Sequence, residues 1–308
     1  MNDLVSVIIP TFNRPKWLEE AIGSATFQTY PSIEIIVVDD GSQKQINQQV
    51  LEKFTKVKYI YQKNSGLGAA RNTGLAKSQG KFVQFLDDDD WLATNAIQIK
   101  LAGLLSNPDA GVVYSDLYLT NENGKVLSKS FDRIPRPLPS GDLYPIIIER
   151  NFIPVHALIW KREVLEKVGG FGKRSGYEDW DCLVRAAEFC TFSAVDLPLG
   201  YYRKHKLTMS HGFEAMYQNK LFFQTQISES ERFGLLPSGQ RTRLLTRFAF
   251  LQWAFGDPQK AHDFLAKAHQ GEPSAILPTL LRAFMLFGRS AAKWVVKTRG
   301  IVWQKIGR

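Results

Sequence analysis

Five short runs, LVSVIIP (4–10), IEIIVVD (33–39), VKYIYQ (57–62), KFVQFLD (81–87) and AGVVYSD (110–116), alternate with stretches of helical period near 16–27, 43–54, 67–78 and 94–106. A strand that is apolar on both faces must be covered on both faces, and a helix between successive strands supplies that cover. The pattern predicts an α/β fold with a mostly parallel sheet and helices on both sides. Such sheets bind ligands beyond the carboxyl ends of their strands, where strand order reverses. Three polar segments fall at those ends: PTFNR (10–14), DDGS (39–42) and LDDDDW (86–91). The rim they define is the expected site.

The rest of the chain reads differently. Residues 121–154 are turn-rich, with NENGK (121–125) as a hairpin tip and RIPRPLP (133–139) as a loop without period. Strand character returns at VHALIWK (155–161), and the second half of GGFGKRSGYEDWDCLVRAAEF (169–189) has helical period. After YYRKHKLTMS (201–210) the pattern is helical. This divides the chain into an α/β domain over 1–211, with halves at about 1–118 and 119–211, and a helical region over 212–308. Of the net charge of +9, residues 273–308 carry seven basic residues and no acid, leaving +2 for the other 272. A basic tail on a nearly neutral body does not make a nucleic-acid-binding domain. With two cysteines, no leader pattern and no 18-residue apolar run, the expected location is cytoplasmic.

The acidic run Asp87–Asp90 sharpens the reading. Two carboxylates ~6 Å apart at an effective dielectric of about 20 repel by roughly 2–3 kcal/mol. Either they stand in water or a cation is expected among them. Mg²⁺ or Mn²⁺ fits, since such ions use one or two carboxylates together with phosphate oxygens. Asp90, next to Trp91, is expected to cap the following helix. In DDGS one acid serves as a turn cap and the second can accept from a base N–H. GLGAARNTG (66–74) fails as a dinucleotide fingerprint. Its glycines let a helix start approach other backbone, with Arg71 free to face phosphate. Glu178 and Asp179 stand where a loop becomes a helix, as a general base or a cap. Arg203 and His205 can meet phosphate or ligate a cation.

Taken together, VSVIIPTFNRPKWLEEAIGSATFQTYPSIEIIVVDDGS, NSGLGAARNTGLAKSQGKFVQFLDDDDWL, VGGFG…GYEDWDCLVRAA and YRKHKLTMS resemble the family 2 glycosyltransferases over about residues 4–210. The resemblance implies the GT-A fold. It also implies that Pro10, Thr11 and Phe12 line a nucleotide pocket, Phe12 stacking on the base, with Asp40 on the base and Arg71 near the nucleotide. Asp87 and Asp88 would meet ribose or metal-bound water, Asp89 and His205 the metal, and Asp179 would be the catalytic base. The implied reaction is an inverting transfer of a single sugar from a nucleoside-diphosphate sugar, UDP-linked by expectation, to a glycan or lipid-linked acceptor of cell-surface polysaccharide or glycolipid synthesis. The alternative is a non-catalytic sugar-nucleotide or glycan-binding module. Where many relatives carry an acid after GGF, this chain has Lys173 and Arg174, which suggests an anionic acceptor. Residues 278–297 read as one amphipathic helix, with Leu280, Phe284, Phe287, Ala291 and Trp294 on one stripe. It either packs on the catalytic domain or, with the basic residues through 308, meets an anionic membrane at the inner face of the plasma membrane.

Overall fold

β1 (Val5–Thr11) is buried at every position. In the computed structural model, which describes residues 3–43, 50, 52–54, 57–128, 136–172, 176–205 and 213–296 (backbone alone for 213–216), it pairs in parallel with β2 (Ile33–Asp39) and β4 (Phe82–Phe85). β3 (Val57–Tyr61) extends the parallel set beyond β2. Alternating side chains of β1 go to opposite faces, as strand geometry requires. Val5, Val7 and Ile9 join a core with Leu18 and Ile22 of α1 (Pro15–Thr26). Ile8 points the other way, toward Gly74 of α2 (Leu67–Lys77), beside the cluster of Ile36, Val38 and Ala70. Both faces are covered, as the apolar runs demanded.

Beyond β4 the sheet changes character. The strand order is β3-β2-β1-β4-β8-β6-β9-β5, with β7 paired to β6. β8 (Leu158–Lys161) runs antiparallel to both β4 and β6 (Ala110–Thr120). β9 (Thr191–Arg203) is parallel to β6, and β5 (Trp91–Leu92) is antiparallel to β9. β6 and β7 (Val126–Ser128) form a hairpin, closed by Asn121 N–H donating to Lys125 O at 2.9 Å with Gly124 at φ +79°. The tip at NENGK is where the sequence put it. The long β9 was not anticipated. Asp196 and Pro198 interrupt its apolar pattern, and its pairing with β6 shifts register around Asp116. That strand carries Arg203 and His205 to the rim.

Among the described residues this unit also holds α3 (Ala96–Leu105), α4 (Tyr144–Ile147), α5 (Arg162–Val168) and α6 (Glu178–Ala187). The chain divides into two compact units, Met1–Met209 and Ser210–Arg308. The described residues of the second include α7 (Phe213–Glu229), α8 (Glu231–Gly234), α9 (Ser238–Phe255), α10 (Pro258–Gly271) and α11 (Ile276–Met285). Asp257 caps α10, accepting from Gln259 N–H at 2.8 Å, with Pro258 at its first turn. The single helix expected over 278–297 is instead broken. α11 ends at Met285, Gly288 takes φ +82°, and helix resumes over 289–296. A left-handed glycine ends a helix because it carries no Cβ to clash. Among the described residues no helix is long and apolar enough to cross a membrane.

The packing of α2 on β1 makes a test. A Cβ at Gly74 would lie 2.3 Å from Ile8 Cγ2 and 3.3 Å from Val38 Cγ2. Alanine gains about 1 kcal/mol of helix propensity, but overpacking a rigid core costs about 1–3 kcal/mol. Ile8 is wholly buried and cannot yield. Gly74→Ala is therefore expected to lower the urea midpoint of unfolding.

Candidate active site

β4 ends at Phe85, and Leu86 N–H still bonds Ile8 O at 2.9 Å before the chain turns through Asp87–Asp90. The four acids do not share one solvated face. Each has its own positive or donor partner. Asp87 accepts from Arg71 Nη2 at 2.8 Å. Asp88, buried, accepts from Thr11 Oγ1 at 2.7 Å and lies 3.5 Å from Arg14 Nη1. Asp89 Oδ2 meets Arg14 Nη1 at 2.6 Å and His205 Nε2 at 2.8 Å. Asp90 accepts from Arg203 N–H at 2.8 Å, and its other oxygen lies 3.0 Å from His156 Nδ1. Burial and the Asp89 charge push Asp88 up to about 7, against the Thr11 bond and Arg14. Burial, with Asp89 and Asp87 adding to it, holds Asp90 well above the usual carboxylate range. Asp90 is no helix cap. α3 begins six residues later with Asn95 at its N-cap, and Asp90 is spent beneath the rim.

Arg14 and His156 were missed in the sequence. Asn13 takes φ +53°, a left-handed conformation that asparagine tolerates. Its N–H donates to Ser42 Oγ, and its Oδ1 accepts from Gln43 N–H, both at 2.9 Å. That turn ties PTFNR to DDGS and aims Arg14 at the acids. A basic residue directly before the helix-starting Pro15 was the available signal. The strand expected over 155–161 would include His156, but 155–157 form a short 3-10 turn. Its ring is wholly buried, stacked on Tyr202, with neither ring nitrogen in a hydrogen bond; the contact with Asp90 is close but misaligned. Burial pushes His156 down to about 4, so the imidazole is neutral.

Arg71 does not face open solvent. Its side chain is 2% exposed and lies between Asp87 and Glu178, the latter at 3.3 Å, with Phe171 5.2 Å beneath it. Close backbone approach explains the neighbouring glycines: a Cβ at Gly68 would meet Gly172 O at 2.6 Å. Asn72 locks the same contact, exchanging two hydrogen bonds with the Phe171 backbone. Glu178, the first residue of α6, accepts from Gly176 N–H at 2.6 Å. Asp179 is half-buried. It accepts from Trp180 N–H at 2.7 Å and Asn151 Nδ2 at 3.1 Å. Burial and the Glu178 charge raise it to about 6, with Arg71 opposing.

Other expected residues find different roles. Arg203 acts as a structural clamp. Its Nε donates to Asp89 O at 2.8 Å, Nη1 to Glu122 O at 2.9 Å, and Nη2 to Glu20, while its guanidinium covers Trp91 and Trp17. Asp39 takes the turn-cap role, accepting from Ser42 N–H at 2.8 Å. Asp40 holds the entry to α2, accepting from Gln62, Ser65 N–H and Gly66 N–H. Pro10 and Thr11 are buried, whereas Phe12 is 44% exposed at the rim. Lys173 and Arg174 lie outside the described residues. Two carboxylate–histidine groups thus suit a divalent cation: Asp89 with His205 at the rim, and Asp87, Asp90 and His156 beneath it, whose ligand atoms fall within 4.8 Å of one another.

The profile of glycosyl transferase family 2 matches residues 6–169, more than half of the chain. The chain belongs to that family. A glycosyltransferase of Rickettsia typhi is 31% identical over 241 residues, covering 77% of this chain and 71% of its own. One of Nostoc sp. is 32% identical over 212 residues, with 65% of each covered. The chain spans about a quarter of the length of the Rickettsia conorii relative it matches at 36% identity over 152 residues, 48% of this chain. Among solved structures, Staphylococcus aureus TarS 1–349 with UDP-GlcNAc superposes with a TM-score of 0.66 at 19% identity, over 96% of this chain and 92% of that one. Mannosyltransferase PcManGT from Pyrobaculum calidifontis, with GDP-Man and Mn²⁺, gives 0.58 at 18%, over 93% and 81%. At such identities the likeness is one of fold, the GT-A fold of family 2.

Removing one partner from a buried ion pair strands the other, at about 3–5 kcal/mol. Arg71→Met leaves Asp87 and Glu178 without their shared cation. The expected loss is about 3 kcal/mol, the lower end, because Asp87 keeps contact with water. Guanidinium unfolding monitored by circular dichroism reads it directly.

Proposed function

We propose that the chain transfers a single sugar, with inversion, from a nucleoside-diphosphate sugar to a hydroxyl of a glycan or lipid-linked acceptor in cell-surface polysaccharide or glycolipid synthesis. The observation that carries this is the convergence, on one rim, of Asp89 and His205 at 2.8 Å with Asp179, coupled through Arg71 and Glu178 to Asp87. The UDP-GlcNAc in the TarS structure and the GDP-Man and Mn²⁺ in the mannosyltransferase structure support a nucleotide-sugar donor and a cation. In this reading the exposed Phe12 ring stacks on the base, beside Pro10, Thr11 and Asp40, and Asp87 and Asp88 meet ribose or metal-bound water. UDP is the nucleotide we favour.

Asp89 and His205 would hold Mg²⁺ or Mn²⁺. A divalent cation there neutralises a leaving diphosphate. Arg14 uses the same Asp89 oxygen, and with a cation held there its guanidinium would be available to phosphate. Asp179 takes the proton of the acceptor hydroxyl. That oxygen bonds the anomeric carbon as the bond from this carbon to the diphosphate oxygen breaks, and the nucleoside diphosphate leaves with the electron pair. A base raised toward neutrality is suited to this task.

Thermal shift with nucleoside diphosphates and Mn²⁺ tests the donor site, since a ligand bound only to the native state raises stability by mass action. A shift with one nucleotide, enhanced by Mn²⁺ and lost in Asp89→Asn, is expected. No shift with any nucleotide contradicts the reading. Asp179→Asn should keep the shift yet lose transfer by about 100-fold or more. If instead wild type binds donor and neither transfers nor hydrolyses it, the chain is a binding module.

The base must be deprotonated to act. The rate therefore rises with pH and levels off above about 6, the value to which burial pushes Asp179. Arg71 opposes that rise, so Arg71→Met should move the acid limb of the pH–rate profile upward.

A further inference from the structure

The second unit presents large apolar side chains to solvent in one stretch. α11 buries Pro278, Leu281 and Met285. At about 100° per residue, Ile276 and Leu280 fall on the opposite face and Leu277 at the edge between the two, and they are 72%, 59% and 52% exposed. At the break before Gly288, Leu286 and Phe287 are 87% and 76% exposed, and Trp294 follows. The expected stripe is thus divided. Phe284 packs against Phe250 in the unit's own core, while a second apolar flank remains outside. Scattered surface leucines need no explanation, but a contiguous group marks an interaction surface.

The charge around it selects the partner. From residue 273 onward the sequence holds seven basic residues and no acid. Arg289 is committed to the fold, donating to Trp253 O at 2.9 Å and Gly256 O at 2.7 Å. Arg282, on the same helix, is exposed. Two copies meeting through this face would bring together two segments that carry basic residues and no acid, and like charges oppose that. An anionic surface that also accepts aliphatic and aromatic side chains relieves both demands.

We propose that the segment Ile276–Trp294 docks the chain on an anionic lipid bilayer, the apolar flank entering the headgroup boundary and the basic residues meeting lipid phosphates. This reading is independent of the sugar-transfer assignment, which nucleotide thermal shift follows separately.

The test is flotation of the full chain with vesicles of phosphatidylcholine alone or with 30% phosphatidylglycerol, for wild type and for Leu280→Asn/Phe287→Asn. Both replaced side chains are exposed, so melting temperature and nucleotide-induced shift should be unchanged. Wild type is expected to float with anionic vesicles, at least tenfold more weakly with neutral ones, and the double variant to lose most of the binding. Absence of wild-type binding overturns the proposal. So does undiminished binding of the double variant, which would make the attraction one of charge alone. A wild-type dimer in sedimentation that the double variant abolishes would assign the face to a second copy instead.

Discussion

One buried guanidinium joins the two halves of the α/β unit. Arg71 projects from α2 in the parallel half and lies between Asp87, at the end of β4, and Glu178, at the start of α6. A charge that deep is tolerated only when paired. Here two carboxylates from separate segments do the pairing, so the geometry of each is fixed by the other. Gly68 and Asn72 bring α2 within reach of the GGFG turn, and Asp179 is held one residue from the bridge. The distance between the donor side of the rim and the candidate base is therefore a property of this cluster.

The same logic distributes the acidic run. Four adjacent carboxylates would repel strongly at protein dielectric, and the fold answers by separating their environments. Asp87 meets Arg71, Asp88 is bonded by Thr11, Asp89 faces Arg14 and His205, and Asp90 turns inward to the Arg203 backbone and His156. Only Asp89 combines a rim position with a histidine on the same oxygen. Arg14 stands there as a counter-charge supplied by the protein itself.

The parallel half was legible because its strands are uninterrupted apolar runs with helices between them, and burial on both faces leaves few other arrangements. β9 was not, since Asp196 and Pro198 break the pattern while pairing with β6 survives by register shifts. The rim itself followed from where Thr11, Asp40 and Asp87 end their strands. Individual roles were harder. Arg71 and Arg203 bear the charge expected of phosphate-facing residues and Asp90 that of a helix cap, yet each is paired inside the protein with partners 16 to 183 residues away in sequence. No local pattern encodes those pairings. Arg14 and His156 are the converse: unremarkable in their segments, placed on the acids by an asparagine turn and a short 3-10 turn. The helix expected through 278–297 failed at Gly288, where nothing in the apolar spacing marks a left-handed glycine.

The most direct measurement is anomalous diffraction at the manganese edge from crystals grown with Mn²⁺ and UDP. The expected result is a peak bound by the Asp89 carboxylate and His205 Nε2, with Arg14 withdrawn from Asp89 and Phe12 against the base. A peak between Asp87, Asp90 and His156, with Arg14 still on Asp89, would contradict it.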